Sequence, residues 1–252
     1  NVIHLYQLPK LSSQILEHFT DVFNNISFPE EEINIQKSIA LQQLQINEEK
    51  TAYHARKIFL THLFGENHIY ARFKSAENIE NISKEDLISF YEKQYLEGLV
   101  KVVVTGEIDE ASVKILNNFI AKHQIKQDPI DLNLESYHYK AETIKIPKES
   151  ANQISLRIGK PFIGKSHHDY KGFLVLNTLL GGYFGSRLMK NIREEKGYTY
   201  GIGSGANSGR NGSYFFVSSD LKKEVYEEAI DEIFKEFDRL KNETVSELEL
   251  NT

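Results

Sequence analysis

Cysteine is absent from all 252 residues, so disulfides and thiolate metal sites are excluded. The same absence fits cytosol and periplasm alike and leaves the compartment open. Long apolar runs are missing too, and no stretch approaches the roughly 20 residues that a membrane-spanning helix needs. There is no run of lysine and arginine able to track a phosphate backbone; 30 basic residues face 36 acidic ones, for a net charge of -6, so nucleic acid is not an expected partner. Asn1 opens directly into a strand-like segment with neither an initiator methionine nor a charged leader, which reads as a trimmed N-terminus. What is present suits a globular protein: 40% of the residues are hydrophobic, and a chain of 252 can bury one large core or two ordinary ones.

Periodicity organises the chain into two mixed halves. Val2-Ile3-His4-Leu5-Tyr6 reads as a strand, and Leu11, Ile15, Phe19, Val22 and Phe23 recur at helical spacing after it. Pro29 and the acidic Glu30, Glu31 and Glu32 suit the first turn of a second helix running to about Ile46. Ser83 is placed to cap a helix through Leu87, Phe90 and Tyr91; Leu99 to Val104 reads as a buried strand, and Val113, Leu116 and Ile120 mark the next helix. The pattern fades between about Lys122 and Ala141, which predicts a first subdomain over 1–124, a linker over 125–142 containing Pro129, and a second subdomain over 143–252.

In the second half Ile154, Leu156 and Ile158 alternate as a strand, and Tyr170 to Leu180 predicts a helix stopped by Gly181-Gly182. A helix over about 186–195, strands at about 198–204 and 213–219, and a helix with Val225, Ile230, Ile233, Phe234, Phe237 and Leu240 on one stripe complete it. The strand at 213–217, its following helix and Ser246-Glu247-Leu248-Glu249 repeat the plan of residues 2–32, as expected of a duplicated domain half with both ends cut.

Two stretches carry candidate chemistry. Gln36 and Gln43 lie seven residues apart on the second helix, about 20° short of two full turns, so they share a face. Taken alone they are good helix formers on an exposed face. Leu179-Leu180-Gly181-Gly182-Tyr183-Phe184-Gly185-Ser186-Arg187-Leu188 leads on to Arg193 and Tyr200, a cation and a phenol again seven apart. The ordinary reading of that pair is an arginine bound to Glu194 or Glu195 and a tyrosine packed in a strand.

Together with Phe28-Pro29-Glu30-Glu31, these stretches resemble the pitrilysin/insulinase-type zinc peptidases, and processing-peptidase-like members in particular, over essentially the whole chain. The resemblance implies an α+β fold of two duplicated halves, each a mostly antiparallel sheet packed by helices, as in one half of a clamshell. It places Gln43 where the family has its third zinc ligand, a glutamate, and Gln36 where it has an assisting glutamate; the other ligands come from a His-x-x-Glu-His motif farther upstream. A neutral amide oxygen is a poor substitute for a carboxylate on Zn²⁺, so no zinc is expected in this chain. Arg193 and Tyr200 match the residues that hold the substrate carbonyl and the developing oxyanion in active relatives, a role suited to a cationic fork and a phenolic donor. Some relatives divide the work between a zinc-bearing chain and a chain that supplies only this pair.

The expected partners are therefore a zinc-bearing homologous subunit, with zinc in that subunit, and a peptide substrate. A structural or peptide-binding module without a catalytic role, and a chain that binds metal by another route and works alone, remain as alternatives. Three apparent motifs are set aside. Gln14-Ile15-Leu16-Glu17-His18 mimics the inverted motif but lies too close to Gln43, with Glu17 and His18 facing solvent; His167-His168-Asp169 reads as a solvated turn whose adjacent imidazoles point apart; Gly181, Gly182 and Gly185 lack the strand and the Gly-Lys-Ser/Thr of a phosphate loop. The glutamates at 30–32 complement a helix dipole and are not a calcium site.

Overall fold

The structure, a computed structural model, describes residues 2–98, 101–123 and 139–250. They fall into two compact units, one of Asn1–Leu44 with Lys74–Leu132 and the other of Gln45–Phe73 with Asn133–Thr252. The expected linker lies mostly outside the described residues; 139–142 have no regular secondary structure.

The regular elements of the first unit, among the described residues, are all helices. Helix α1 (Ser12–Asn24) turns Leu16 and Phe23 inward, where Phe23 meets Phe119 edge-on with ring centroids 5.0 Å apart. Helix α2 (Glu30–Glu48) carries three glutamates in its first turn, as its N-terminal dipole favours, and crosses into the second unit at its last residues. Helix α3 (Thr51–Phe64) belongs to the second unit, and α4 (Ala76–Glu80) and α5 (Lys84–Tyr91) return to the first. Ser83 caps α5 as expected and closes a full capping box with Asp86. Asp109 caps α6 (Glu110–Lys122), which packs on α1 through Phe119, while the hydroxyl of Tyr91 donates to the carbonyl of Phe23.

No strand forms in this unit among the described residues. Val2–Tyr6 is irregular and exposed, Leu99 and Val100 lie outside the described residues, and Val102, Val103 and Val104 are exposed without a ladder. A strand is completed by hydrogen bonds to a neighbour, so β-branched composition without an aligned partner leaves extended chain.

The second unit holds the sheet. Strands β1 (Gln153–Pro161), β2 (Thr199–Gly209) and β3 (Gly212–Lys222) are antiparallel in the order β1-β3-β2, with Leu156 opposite Ser219 and Gly203 opposite Ser218. Alternation along β3 separates two cores, as a period of two requires. Val217 and Leu221 join Leu188, Ile192, Ile202, Ala229 and Ile233 beneath α8 (Tyr226–Asn242), while Tyr214 and Phe216 meet Leu60 and Leu63 of α3 on the opposite face. Between β1 and β2 the chain makes α7 (Tyr170–Asn177), a π-helical turn at Thr178–Gly182, and a second π-helical segment at Met189–Glu195. The short α9 (Glu247–Leu250) is held by Glu249, which takes both Nε and Nη2 of the buried Arg187 at 2.8 and 3.1 Å.

The observed fold is α+β, with its antiparallel sheet in the second unit. Helix α3 has no counterpart in the sequence-based expectation because Tyr53, Ile58, Phe59, Leu60, Leu63 and Phe64 surround its axis and blur the stripe that marks an amphipathic helix.

Two stability predictions follow from the second unit. A Cβ at Gly159 would strike the carbonyl of Phe215 and come within 2.7 Å of the Phe59 ring, whereas one at Gly172, in α7, meets nothing within 4 Å. Gly159→Ala should lower unfolding free energy by about 1–3 kcal/mol and Gly172→Ala raise it by about 0.5–1 kcal/mol, read as opposite shifts of the denaturant midpoint. Arg187 and the Ser246 cap hold the Glu249 carboxyl down to about 2 against an ordinary value of 4.5. The pair's contribution is thus complete above about pH 4.5 and disappears as the pH falls toward 2. Glu249→Gln should cost about 1–3 kcal/mol near neutrality, and the gap from the parent protein should close across that acid window in urea titrations.

Candidate functional site

Gln36 and Gln43 both lie on the exposed surface of α2, on one face as their spacing requires. None of the helix is buried, and Ile35, Ile39 and Ile46 run along it in the open. Two neutral amides on a helix face do not make a zinc site: each offers at best a carbonyl oxygen, and neither supplies the negative charge that a dication requires. Among the described residues, only His167, His168 and Asp169 bring three histidine or carboxylate ligand atoms within 4.8 Å of one another.

That triplet differs from expectation in its geometry. The imidazoles do not point apart; they stack at 4.4 Å between centroids and 23° between planes. The Asp169 carboxylate lies 3.2 Å from His168 Nε2 and 3.8 Å from His167 Nδ1, and the Asp169 N–H donates to His167 Nδ1 at 3.2 Å. All three are exposed at the entrance to α7. Glu17 and His18 of the apparent inverted motif are exposed on α1, as expected.

Arg193 and Tyr200 are brought together, and each is positioned by an irregularity in its element. Arg193 sits in the π-helical segment Met189–Glu195, where bonds spanning five residues widen the turn. Met189 and Ile192 anchor that segment in the core, and Gly197, at φ 64°, reverses the chain after it. Asn191 fixes it from the side, its amide donating to Glu232 at 3.1 Å and to Glu236 at 2.8 Å. Glu236 is only 1% exposed and also accepts from Arg239 at 3.0 Å, so its buried charge is matched.

Tyr200 lies in a β-bulge. Thr199 pairs with Leu221 and Ile202 with Ser219, so β2 spends one more residue than β3 between these rungs. The hydroxyls of Thr199 and Ser219, both buried, hydrogen bond each other at 3.0 Å and tie down the carbonyl of Gly201 and the N–H of Gly201. The bulge turns Tyr200 outward to 87% exposure. Its carbonyl accepts from Arg193 Nε at 3.0 Å, which links the π-helical segment to the strand. Among the described residues the Tyr200 hydroxyl makes no hydrogen bond.

The guanidinium of Arg193 has three neighbours: that carbonyl, the exposed Glu194 carboxylate at 3.7 Å from Nη1, and the face of Phe184, 4.5 Å from the ring centroid. An exposed pair at such a distance contributes little, so Glu194 does not neutralise the group. The tyrosine of the ordinary reading is not packed but turned to solvent, whereas its arginine pairing is present as the Arg193–Glu194 contact. The guanidinium of Arg193 and the exposed ring of Phe184 are in contact, and Arg193 reaches Tyr200 through the tyrosine's backbone carbonyl. Phe184 was not among the residues singled out from the sequence; its contact with Arg193 spans nine positions and has no periodic signature.

Comparison with known proteins gives these features a family. The peptidase M16 inactive domain matches residues 81–252. The Bacillus subtilis protein YmxG, described as an uncharacterized zinc protease, is 22% identical over 196 residues, covering 77% of this chain and 47% of its own. A second Bacillus subtilis protein, YmfF, described as a probable inactive metalloprotease, is 25% identical over 180 residues, covering 69% of this chain and 41% of its own. The chain thus spans about half the length of the curated relatives it matches. A peptidase M16 inactive domain from Pseudomonas fluorescens has the same fold, with a TM-score of 0.81 over 94% of this chain and 58% of that one at 24% identity. The chain belongs to the peptidase M16 inactive domain family, within the pitrilysin-type zinc protease superfamily.

Proposed function

We propose that this chain is the non-catalytic subunit of a heteromeric zinc peptidase and completes its partner's site with Arg193 and Tyr200. The observation that carries the reading is the placement of Arg193 by a π-helical segment and of Tyr200 by a β-bulge that turns the tyrosine to solvent, with the arginine hydrogen-bonded to the tyrosine's backbone carbonyl. Such irregularities recur where a side chain must be re-aimed for function. The glutamines of α2 give this chain no carboxylate for zinc, so the metal belongs to the partner and the reacting water is activated there.

In this reading the peptide carbonyl under attack acquires negative charge, and this chain supplies donors for it. The guanidinium of Arg193 brings a permanent charge and N–H groups in a fixed plane, and the Tyr200 hydroxyl a neutral donor. The Arg193 fork is held before the substrate arrives, by the Tyr200 carbonyl and the Phe184 ring, so little reorganisation of it accompanies charge development. The alternative, a structural or peptide-binding module without a catalytic role, is supported by the description of YmfF as a probable inactive metalloprotease.

Mixing the full-length protein with its zinc-bearing partner should produce peptidase activity that neither has alone. Arg193→Ala should lower kcat about 100- to 1000-fold and Tyr200→Phe roughly 10- to 100-fold, as for loss of single oxyanion donors. Undiminished activity in both variants would favour the structural module and remove the assigned roles. Metal analysis of the full-length protein purified without its partner should give well under one zinc per chain; a stoichiometric content would overturn the division of labour.

A further inference from the structure

The face of the sheet that receives α3 carries a cation without a bonded partner among the described residues. Arg157 lies on β1 directly opposite Ser218 of β3, and Ser218 lies opposite Gly203 of β2. Residues on one rung share a face, and Ser218 follows Tyr214 and Phe216 at intervals of two, so this rung is on the α3 side. The half-buried Arg157 guanidinium stands 5.2 Å from the centroid of the Phe216 ring. It makes no ion pair and no hydrogen bond among the described residues. Burial is the largest influence on it and pushes its pKa down; Tyr214 and Asp220 favour the charged form, and Arg56 of α3 opposes it. Arginine keeps its proton nonetheless, so the charge stays in place unbonded.

Its surroundings do not supply the missing acceptor. The Asp220 carboxylate, one rung along the same face, accepts from the Ser155 hydroxyl. Arg56 is exposed and, among the described residues, also lacks an ion pair or hydrogen bond. The half-buried Ser218 hydroxyl makes no hydrogen bond among the described residues either, and it has a proton to donate. Gly203 leaves the rung open beside it, since a Cβ there would meet only the Gly181 carbonyl, at 3.4 Å. A glycine so placed in a strand lets another backbone approach closely. A guanidinium stacked on a ring keeps its edge for a carboxylate, which accepts two N–H bonds in the same plane.

We propose that Arg157, Arg56 and Ser218 form an oxyanion-binding site that takes the carboxylate of a peptide lying over Gly203. The proposal does not depend on the role assigned to Arg193. A chain terminus and a glutamate side chain offer the same group, and the probes below separate them.

Isothermal titration calorimetry of the full-length protein at low ionic strength tests the site. The probes are Ac-Ala-Ala-Ala as the free acid, the same peptide as its C-terminal amide, Ac-Ala-Glu-Ala as the amide, and inorganic phosphate. One or both carboxylate peptides should bind about tenfold more tightly than the neutral amide, as charge-assisted hydrogen bonds to one guanidinium allow; the peptide that does so identifies terminus or side chain. Arg157→Gln should remove that preference, and Arg157→Lys should keep part of it, because the charge remains and the fork is lost. Arg56→Gln, at an exposed position, should reduce it about threefold. Arg193→Ala should leave it unchanged; its loss there would assign carboxylate binding to Arg193 and overturn this site without touching the earlier reading. Equal affinity for all three peptides, a preference that survives in both Arg157→Gln and Arg56→Gln, or binding of phosphate alone would overturn the proposal.

Discussion

A carboxylate taken out of water must find its charge matched by donors, and much of the candidate site follows from how Glu236 meets that demand. The side chain rises from α8 into the core and accepts from Arg239 and from the amide of Asn191. Asn191 spends its second amide proton on Glu232, and its own Oδ1 is left buried without a partner among the described residues. Two carboxylates thus fix the amide's orientation and hold the π-helical segment against α8 at a single register. Arg193 stands two residues farther along that segment, and the same register lets its Nε reach the carbonyl of Tyr200. Removing the match at Glu236 would leave a charge unpaired in the core and free the turn that aims the arginine.

The strand side has an equivalent constraint in hydroxyls. Thr199 and Ser219 face each other across the bulge and saturate the backbone of Gly201, so the extra residue is accommodated without an orphaned group. The result is a tyrosine turned outward at the start of an otherwise regular strand.

Much of this was legible in the sequence wherever a signal is local. The stripes of α1, α6 and α8, the Ser83 cap, the acidic first turn of α2 and the alternation in β1 and β3 all rest on neighbours within a turn or a rung. The seven-residue spacings of Gln36 with Gln43 and of Arg193 with Tyr200 were equally plain. What escaped depends on contacts distant in sequence. Helix α3 shows its inward face only once Tyr214 and Phe216 are present to receive it. Val2–Tyr6 and the valines at 102–104 have the composition of strands but no aligned neighbour among the described residues. The π-helical segment depends on Glu236, 45 positions from Asn191, and the bulge on a hydroxyl 20 positions from Thr199. The aromatic contact of Phe184 with Arg193 is of the same kind.

The central claim is that this chain places its own side chains against the peptide bond at which a partner's zinc acts. Photo-crosslinking tests it most directly, using a peptide with a photoreactive residue next to the scissile bond, bound to the metal-depleted complex of both full-length subunits. The account predicts that mass spectrometry will recover crosslinks in the segment from Phe184 to Tyr200. Crosslinks confined to the zinc-bearing subunit would contradict it.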